Sequence, residues 1–434
     1  MLKLLRKLLS DTNPLRLFYH RIKAALAVLV YWFPSKNLNV IGVTGTNGKT
    51  TTVNLITKVL EEAGFKVGMA STINFQIGDQ KWTNNTKQTT MSPFTLQKLL
   101  RKMVKEKCTH CVLEVSSHAI TQSRVMGVNF DTAVFTNVTE DHIEYHGNFQ
   151  MYLQAKGGLF KRLNRSKRKV GIPKISVLNA DDPNYDYFDQ FIVDRKFTYS
   201  LDKGTCYASN IELSPEGSNF TLNIPNHSIE VNLEIPGEFN IHNALAAATV
   251  ALANNIKLEA VKRALEASHG VKGRLEVVDV GQPFSVIVDY AHSTDSLQKL
   301  LELYKKVTAG KLFVVFGATG GGRDKAKRPK MGAIADELAD YIILTNDDPY
   351  EEDEWQIIEM IAEGIKRKEG DRLWKIPHRY EAIRLACTLA KEGDTIVIPG
   401  LGAQEVQVVG KEMIPWSDQA AVREILTREH KVHI

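Results

Sequence analysis

The residues that first suggest chemistry form one short run, Gly42-Val43-Thr44-Gly45-Thr46-Asn47-Gly48-Lys49-Thr50-Thr51-Thr52. Before it lies an apolar strand pattern, Val40-Ile41-Gly42-Val43. After it comes a helical one, in which Val53, Ile56, Val59, Leu60 and Ala63 share a face until Gly64 stops it. A loop so placed can hold phosphate. Glycines let backbone N–H groups approach phosphate oxygens, the helix N-terminus adds partial positive charge, and Lys49 neutralises the β- and γ-phosphates. Thr50 or Thr51 can offer a hydroxyl to Mg²⁺. The spacing is tighter than in the common phosphate loop, with only Thr46 and Asn47 between Gly45 and Gly48-Lys49. Strand and helix on either side favour a nucleotide site over a structural turn. The loop by itself does not separate kinase, GTPase and ligase.

Other chemistry-bearing residues are less specific. Glu114 ends a strand beside that of the loop, where it is either a structural cap or an oxygen ligand for a hard cation. Lys156, in Tyr152-Leu153-Gln154-Ala155-Lys156, reads as an ordinary helix-surface lysine. Cys108 and Cys111 form a C-x-x-C with no second pair to complete a zinc site, and Cys111 opens an apolar run, so buried cysteines are the expectation.

The elements that must position these residues alternate. After the loop and its helix, Phe75 to Trp82 around Gly78-Asp79 reads as a hairpin, and a helix follows Pro93 with Leu96, Leu99, Leu100 and Met103 inward. Strands at Cys111–Val115 and Thr132–Thr136 and a helix around Met151–Leu163 continue the pattern of a mostly parallel sheet covered by helices. Cys206 to Ile235 has no helical period and reads as a small antiparallel patch. Helices return at Asn240–Ala253 and Leu258–Ala267, and His269-Gly270-Val271-Lys272-Gly273 looks like a linker. A second α/β pattern follows, with strands at Ser285–Val288, Leu312–Phe316, Tyr341–Leu344 and Thr395–Ile398.

Several motifs resemble those of the Mur ligases in the family's order. Thr44 to Thr51 resembles the ATP loop of Mur ligases and folylpolyglutamate synthases. Glu114-Val115-Ser116-Ser117-His118, Phe135 to His142, Tyr145-His146-Gly147, Asp289-Tyr290-Ala291-His292 and Arg323 to Pro329 look like the UDP-N-acetylmuramoyl-tripeptide synthetases, the MurE type. The resemblance covers Leu38 to about Leu426. It implies an α/β fold with a helical segment at 1–37, a central P-loop ATPase domain at 38–270 and a C-terminal Rossmann-like domain at 271–434.

By the same resemblance, the chain is an ATP-dependent ligase that adds an amino acid to a UDP-muramoyl-peptide through an acyl phosphate, with ATP and Mg²⁺ as cofactors. The implied nucleotide set is Thr44, Gly45, Thr46, Asn47, Gly48, Lys49, Thr50 and Thr51, with Asn240 and Asn243 on the adenine side and Arg274 and Asp289 after the linker. The implied Mg²⁺ ligands are Thr50, Glu114, His142 and Lys156, the lysine as a carbamate formed with CO₂. The last three and Lys49 are the implied catalytic residues. Thr89, Thr90, Ser116, Gln122 and Arg124 match residues that bind the muramoyl peptide. Arg323, Asp347, Asp348, Tyr350, Gly400 and Gln404 fall in the amino-acid pocket.

Two departures stand out. About 37 residues precede the first strand, where MurE-type enzymes carry an N-terminal domain for the uridine end, and the sequence reads as lacking it. Asp347-Asp348-Pro349-Tyr350 stands where diaminopimelate-adding enzymes have Asp-Asn-Pro-Arg; arginine would clamp a carboxylate bidentately and Tyr350 cannot. Gly400-Leu401-Gly402-Ala403-Gln404 replaces Gly-Lys-Gly-His-Glu, with Glu405 next door. Asp347, Asp348 and Glu405 would suit a cationic side chain such as that of lysine.

Bulk properties agree with a small-molecule enzyme. A net charge of +5 over 434 residues is too mild for a nucleic-acid partner and suits anionic substrates. Four cysteines in so long a chain fit a reducing, cytoplasmic setting, and a monomer is expected. Near the start, leucines at 2, 4, 5, 8 and 9 recur at helical spacing between Lys3, Arg6 and Lys7. A second apolar stretch, Ala24 to Phe33, falls short of the roughly 20 residues a membrane span needs. These read either as amphipathic helices packing on the body or as a basic, apolar membrane-surface anchor. Competing readings are a P-loop kinase or GTPase, a folylpolyglutamate-synthase-like ligase acting on another carboxylate, and a non-catalytic ATP-binding regulator.

Overall fold

The computed structural model describes residues 13–432, apart from 85, 87, 142, 215, 216, 269 and 323. Two compact units divide at His269/Gly270. The leucine-rich start lies outside the described residues, as do His142 and Arg323 of the expected site.

The first unit is built on one eleven-stranded sheet. Its strands are β1 (Asn39–Thr44), β2 (Val67–Ala70), β3 (Asn74–Ile77), β4 (Gln80–Thr83), β5 (His110–Glu114), β6 (Thr132–Phe135), β7 (Ile175–Asn179), β8 (Arg195–Ser200), β9 (Cys206–Leu213), β10 (Ser218–Ile224) and β11 (His227–Leu233). They lie in the order β11-β10-β9-β8-β7-β6-β1-β5-β2-β3-β4. From β9 through β8, β7, β6, β1 and β5 to β2 the pairing is parallel. Strands buried on both faces need continuous apolar runs, and β1, β5 and β6 have them, while β7 is buried along its length although Ser176 interrupts its run. The antiparallel patch read from Cys206 to Ile235 is real, and it joins the main sheet through β8 rather than standing apart. The chain leaves β1 toward β2 on one side and later crosses to β6 on the other. The C-terminal end of β1 is therefore the point where the strand order reverses, the usual place for a ligand crevice in such sheets.

The helix Lys49–Glu62 and the alanine-rich helix Glu238–Ala253 pack together on one face, with Val53, Ile56 and Leu60 against Ala244, Ala247 and Ala251 in one core. The helices Pro93–Lys105 and Phe149–Arg165 bury their apolar stripes in a second core on the other face. Cys108 and Cys111 are buried and free.

The second unit is a six-stranded sheet with Ser285–Asp289, Thr395–Pro399, Leu312–Phe316, Tyr341–Leu344 and Leu373–Lys375 parallel and in that order. The short strand Glu276–Val277 adds antiparallel at one edge, and helices complete a Rossmann-like α/β unit. No helix among the described residues is long and apolar enough to cross a membrane.

At the N-terminal ends of β1, β6 and β7, opposite the phosphate loop, a buried ion cluster ties the sheet. The Asp131 carboxylate accepts the Val40 N–H at 2.9 Å and Lys174 Nζ at 2.9 Å, and also pairs with Lys169. Removing one member of a buried pair strands the other charge, at a cost of roughly 3–5 kcal/mol. Asp131→Ala is expected to lose stability of that order in urea unfolding of the whole chain; a loss below about 1 kcal/mol would show that water reaches Lys174.

Candidate active site

The loop after β1 is clamped from the neighbouring strand end. Thr46 N–H donates to the Asn137 carbonyl (2.8 Å) and Asn47 N–H to Asn137 Oδ1 (2.9 Å), while Thr136 Oγ1 donates to the Asn47 carbonyl (2.8 Å). These contacts require glycine at two positions. A Cβ on Gly45 would stand 1.8 Å from Thr136 Oγ1. Gly48 caps the following helix with φ +81°, and a Cβ there would meet Asn243 Oδ1 at 2.3 Å. Asn243 in turn accepts from Thr52 Oγ1 (3.0 Å) and donates to Asn240 (3.0 Å). The two asparagines expected near adenine are thus buried behind the loop, bracing it from the side of the helix Glu238–Ala253.

Two lysines converge on this turn. Lys49 Nζ donates to the Thr46 carbonyl at 2.8 Å. Lys156 Nζ donates to the Gly45 carbonyl at 2.5 Å and lies 4.2 Å from the centre of the Tyr152 ring. Lys156 is 1% exposed, which corrects the reading of it as a surface residue. It stands on the same helix face as Leu153 and Phe160, three residues before and four after, and that face is buried. Burial pushes its amine well below the ordinary lysine range and the Lys49 charge pushes the same way, against smaller opposing effects of Asp141 and Asp182. Tyr152, whose hydroxyl lies 3.1 Å from Thr46 Oγ1, has its own ionisation suppressed by burial.

Glu114, 3% exposed, ends β5 beside the loop. It accepts Thr50 Oγ1 at 2.9 Å and, from the end of β2, Thr72 N–H at 2.7 Å and Thr72 Oγ1 at 2.9 Å. Thr72 was not anticipated from the sequence, because the short strand β2 that delivers it carries no alternation to read. Thr50 and Glu114 form an all-oxygen donor pair, which fits Mg²⁺. Among the described residues no group of three or more His, Cys, Asp or Glu side chains is gathered to hold a metal. Nucleotide phosphates and water would have to complete such a shell.

The expected peptide-binding residues cluster on the far side of Glu114. Thr90 Oγ1 donates to the Glu114 carbonyl (2.9 Å) and lies 3.4 Å from Ser116 Oγ. Ser116 caps the helix Ser117–Thr121, and Gln122 and Arg124 follow on its terminal turn. Arg124 donates to Gln122 Oε1 at 2.7 and 2.9 Å and to the Thr90 carbonyl at 2.7 Å; Gln122 donates to the Tyr145 hydroxyl at 3.0 Å. The Tyr145 ring lies 3.9 Å from that of His118. Thr89 is half-buried beside Thr90.

In the second unit, Arg274 stacks 4.5 Å over the Tyr290 ring with its buried Nε unpaired. Asp289 is fixed by the Leu275 and Ala291 N–H groups and lifted above the usual carboxylate range by burial. Asp347 and Asp348 are each 4% exposed. Burial raises the Asp347 carboxyl to about 6, against the pull of Arg379, which itself forms a two-pronged pair with Asp418 at 2.7 and 2.8 Å. Asp348 accepts the Val408 N–H at 2.7 Å, and Glu405 pairs with Lys272 at 2.9 Å. Tyr350 holds a left-handed backbone (φ 53°) and exchanges backbone hydrogen bonds with the hairpin Val406–Pro415. Gly400 packs under Asp347, and Gln404 is half-buried on the turn after it.

Comparison with known proteins matches residues 43–251 to the Mur ligase middle domain and residues 273–402 to the Mur ligase, glutamate ligase domain. The UDP-N-acetylmuramoyl-L-alanyl-D-glutamate–2,6-diaminopimelate ligase of Bacillus licheniformis is 42% identical over 409 residues, 93% of this chain and 82% of that protein. The chain belongs to the Mur ligase family. The UDP-N-acetylmuramyl-tripeptide synthetase of a Roseiflexus species is 38% identical over 93% of this ligase and 81% of its own length. A solved structure of a UDP-N-acetylmuramoyl-L-alanyl-D-glutamate–2,6-diaminopimelate ligase superposes with TM-score 0.64 at 32% identity, covering 91% of this Mur ligase and 79% of that chain.

The clamp gives a direct test. Gly48→Ala should weaken ATP binding at least tenfold in calorimetry while the thermal transition moves by only a few degrees, since the strain and the collision with the Asn243 side chain are confined to the loop and the helix end that braces it. Unchanged affinity would mean that the loop does not carry the nucleotide.

Proposed function

We propose that this Mur ligase joins an amino acid to the free carboxylate of a UDP-N-acetylmuramoyl-peptide at the expense of ATP, in the cytoplasm, as a step of peptidoglycan precursor synthesis. The observation that carries this reading is the convergence of Lys49, Lys156 and the Thr50–Glu114 pair on one glycine turn at the end of β1. A turn that only bound nucleotide would have no use for a second, buried amine.

The γ-phosphate would sit on the loop amides with Lys49 beside it. The peptide carboxylate, brought in by Thr90, Ser116, Gln122 and Arg124, attacks the γ-phosphorus; the bond to the β-bridging oxygen breaks and ADP leaves. The amino acid's amine then attacks the carbonyl carbon of the acyl phosphate, inorganic phosphate leaves, and the amine nitrogen gives up a proton. Mg²⁺, held by Thr50 and Glu114 and, on the sequence resemblance, His142, would neutralise charge on the transferring phosphate. Burial and the Lys49 charge favour the neutral form of the Lys156 amine, the form that adds to CO₂ to give a carbamate with loss of a proton. The carbamate would place an anionic oxygen donor where the buried amine stands.

The Bacillus licheniformis relative and the solved structure are named for diaminopimelate, whereas the Roseiflexus relative is named only as a tripeptide synthetase. Tyr350 cannot grip a distal carboxylate as arginine would, and Asp347 and Asp348 are buried with internal partners, so among the described residues of this pocket none offers a dedicated charge to either end of a diaminopimelate side chain. We therefore read the acceptor, from the names of the relatives, as a diamino acid of the diaminopimelate or lysine kind whose distal carboxylate is not selected. Lysine and diaminopimelate should support phosphate release with kcat/KM values within about tenfold; strict use of diaminopimelate would sink this part of the reading.

Lys49→Ala and Lys156→Ala should each abolish peptide product, a loss of at least about a thousandfold. In CO₂-depleted buffer the wild-type rate should fall and return on adding bicarbonate. Undiminished coupling in both variants would leave the site without its proposed chemistry.

A further inference from the structure

The N-terminal helix wears its amphipathicity inside out. Asn13 caps it and Pro14 opens it, and it runs to Tyr31. Toward the protein it buries only small side chains, Ala24, Ala27 and Val28, the last against Gly127. Outward it presents Leu15, Phe18, Tyr19, Ile22, Leu26, Leu29 and Val30, each 42–70% exposed, and Trp32 and Phe33 continue the exposed apolar surface past its end. At about 100° per residue, the seven helical positions fall within a stripe of about 120°, opposite the buried face. Arg16 and Lys23 flank the stripe on one side and Arg21 on the other.

A second feature adjoins it. A groove of about 440 Å³ is lined by Tyr31 of this helix, by Phe75, Trp82 and Leu99, and by cations of the helix Pro93–Lys105, with Lys102 Nζ 5.4 Å from the Trp82 ring. Charge is segregated as well. Residues 1–36 contain seven Lys and Arg and one acid, Asp11; the whole chain has 55 against 50, so the remainder has 48 against 49 and is nearly neutral.

We infer that this helix is a docking element for the surface of an anionic phospholipid bilayer. It would lie in the plane of the headgroups, with its apolar stripe among the upper acyl carbons and the flanking cations on lipid phosphates. An apolar stripe edged by Lys and Arg and continued by tryptophan is the pattern that gives a helix such a position. A second copy of the chain fits less well, because an isologous contact would set the same cations against each other. Residues 1–12 repeat the theme in sequence, five leucines with Lys3, Arg6 and Lys7, and add to the same charge.

The test is co-flotation of the full chain with vesicles of phosphatidylcholine, alone or with about one quarter phosphatidylglycerol. Binding is expected only with the anionic lipid, with a blue shift of tryptophan emission that Trp32→Phe reduces, and with loss of binding at about 0.5 M salt. The triple variant Phe18→Ser/Leu26→Ser/Leu29→Ser should lower the bound fraction at least tenfold while ligase activity in solution stays unchanged, as should Arg16→Gln/Arg21→Gln/Lys23→Gln. The inference is overturned by absence of flotation with anionic vesicles, by flotation that both triple variants retain, or by a concentration-dependent dimer that the serine variant dissolves and vesicles do not compete with.

Discussion

Two lysine amines reach the carbonyls of adjacent residues, Lys49 to Thr46 and Lys156 to Gly45, in a turn that Asn137 and Asn243 hold from either side. Burial lowers the basicity of Lys156 most, and repulsion from the half-buried Lys49 adds to it. Such an arrangement is costly unless an anion comes to occupy it or one amine gives up its charge. A triphosphate satisfies the first condition and a carbamate the second. On the proposed function, the polar architecture around the turn would hold it in shape through both changes.

That shape comes from the sheet. Placing β1 between β5 and β6 puts the glycine turn, the Glu114 carboxylate and the Thr136–Asn137 clamp at three neighbouring strand ends. Thr72, at the end of β2, fixes the Glu114 carboxylate through both oxygens, so the acid is held in one orientation by the protein itself. Groups preset in this way would need little reorganisation in the proposed transfer, as charge moves from the γ-phosphate to the leaving ADP. The Asp131 ion cluster secures the opposite strand ends, so stability and chemistry occupy different edges of the same sheet.

Much of this was legible in the residues themselves. The phosphate loop announced itself by type and spacing, and Glu114 by ending an apolar strand. The alternation of strands and helices gave the α/β class because buried parallel strands need unbroken apolar runs. Read by residue type alone, Lys156 went to the surface because a single lysine weighs against burial, although Leu153 and Phe160 on its face pointed inward; only the family resemblance set it beside the phosphate loop. Strands β2, β7 and β8 went unmarked, since short or half-polar runs carry little periodic signal. Asp347 and Asp348 looked available for a cationic substrate; only the fold shows them turned into the second unit, beside Arg379 and the Val408 N–H. Contacts between residues distant in sequence, such as Asn243 against Gly48, leave no local trace.

The account stands on transfer of the γ-phosphoryl group to a carboxylate, and isotope transfer tests it most directly. The peptide substrate is prepared with ¹⁸O in its reacting carboxylate, and the inorganic phosphate released during coupling is analysed by mass spectrometry. An acyl phosphate requires one labelled oxygen to pass from the carboxylate into each phosphate formed. Phosphate released without label, while amide product accumulates, would contradict the mechanism that the two lysines and their turn are taken to serve.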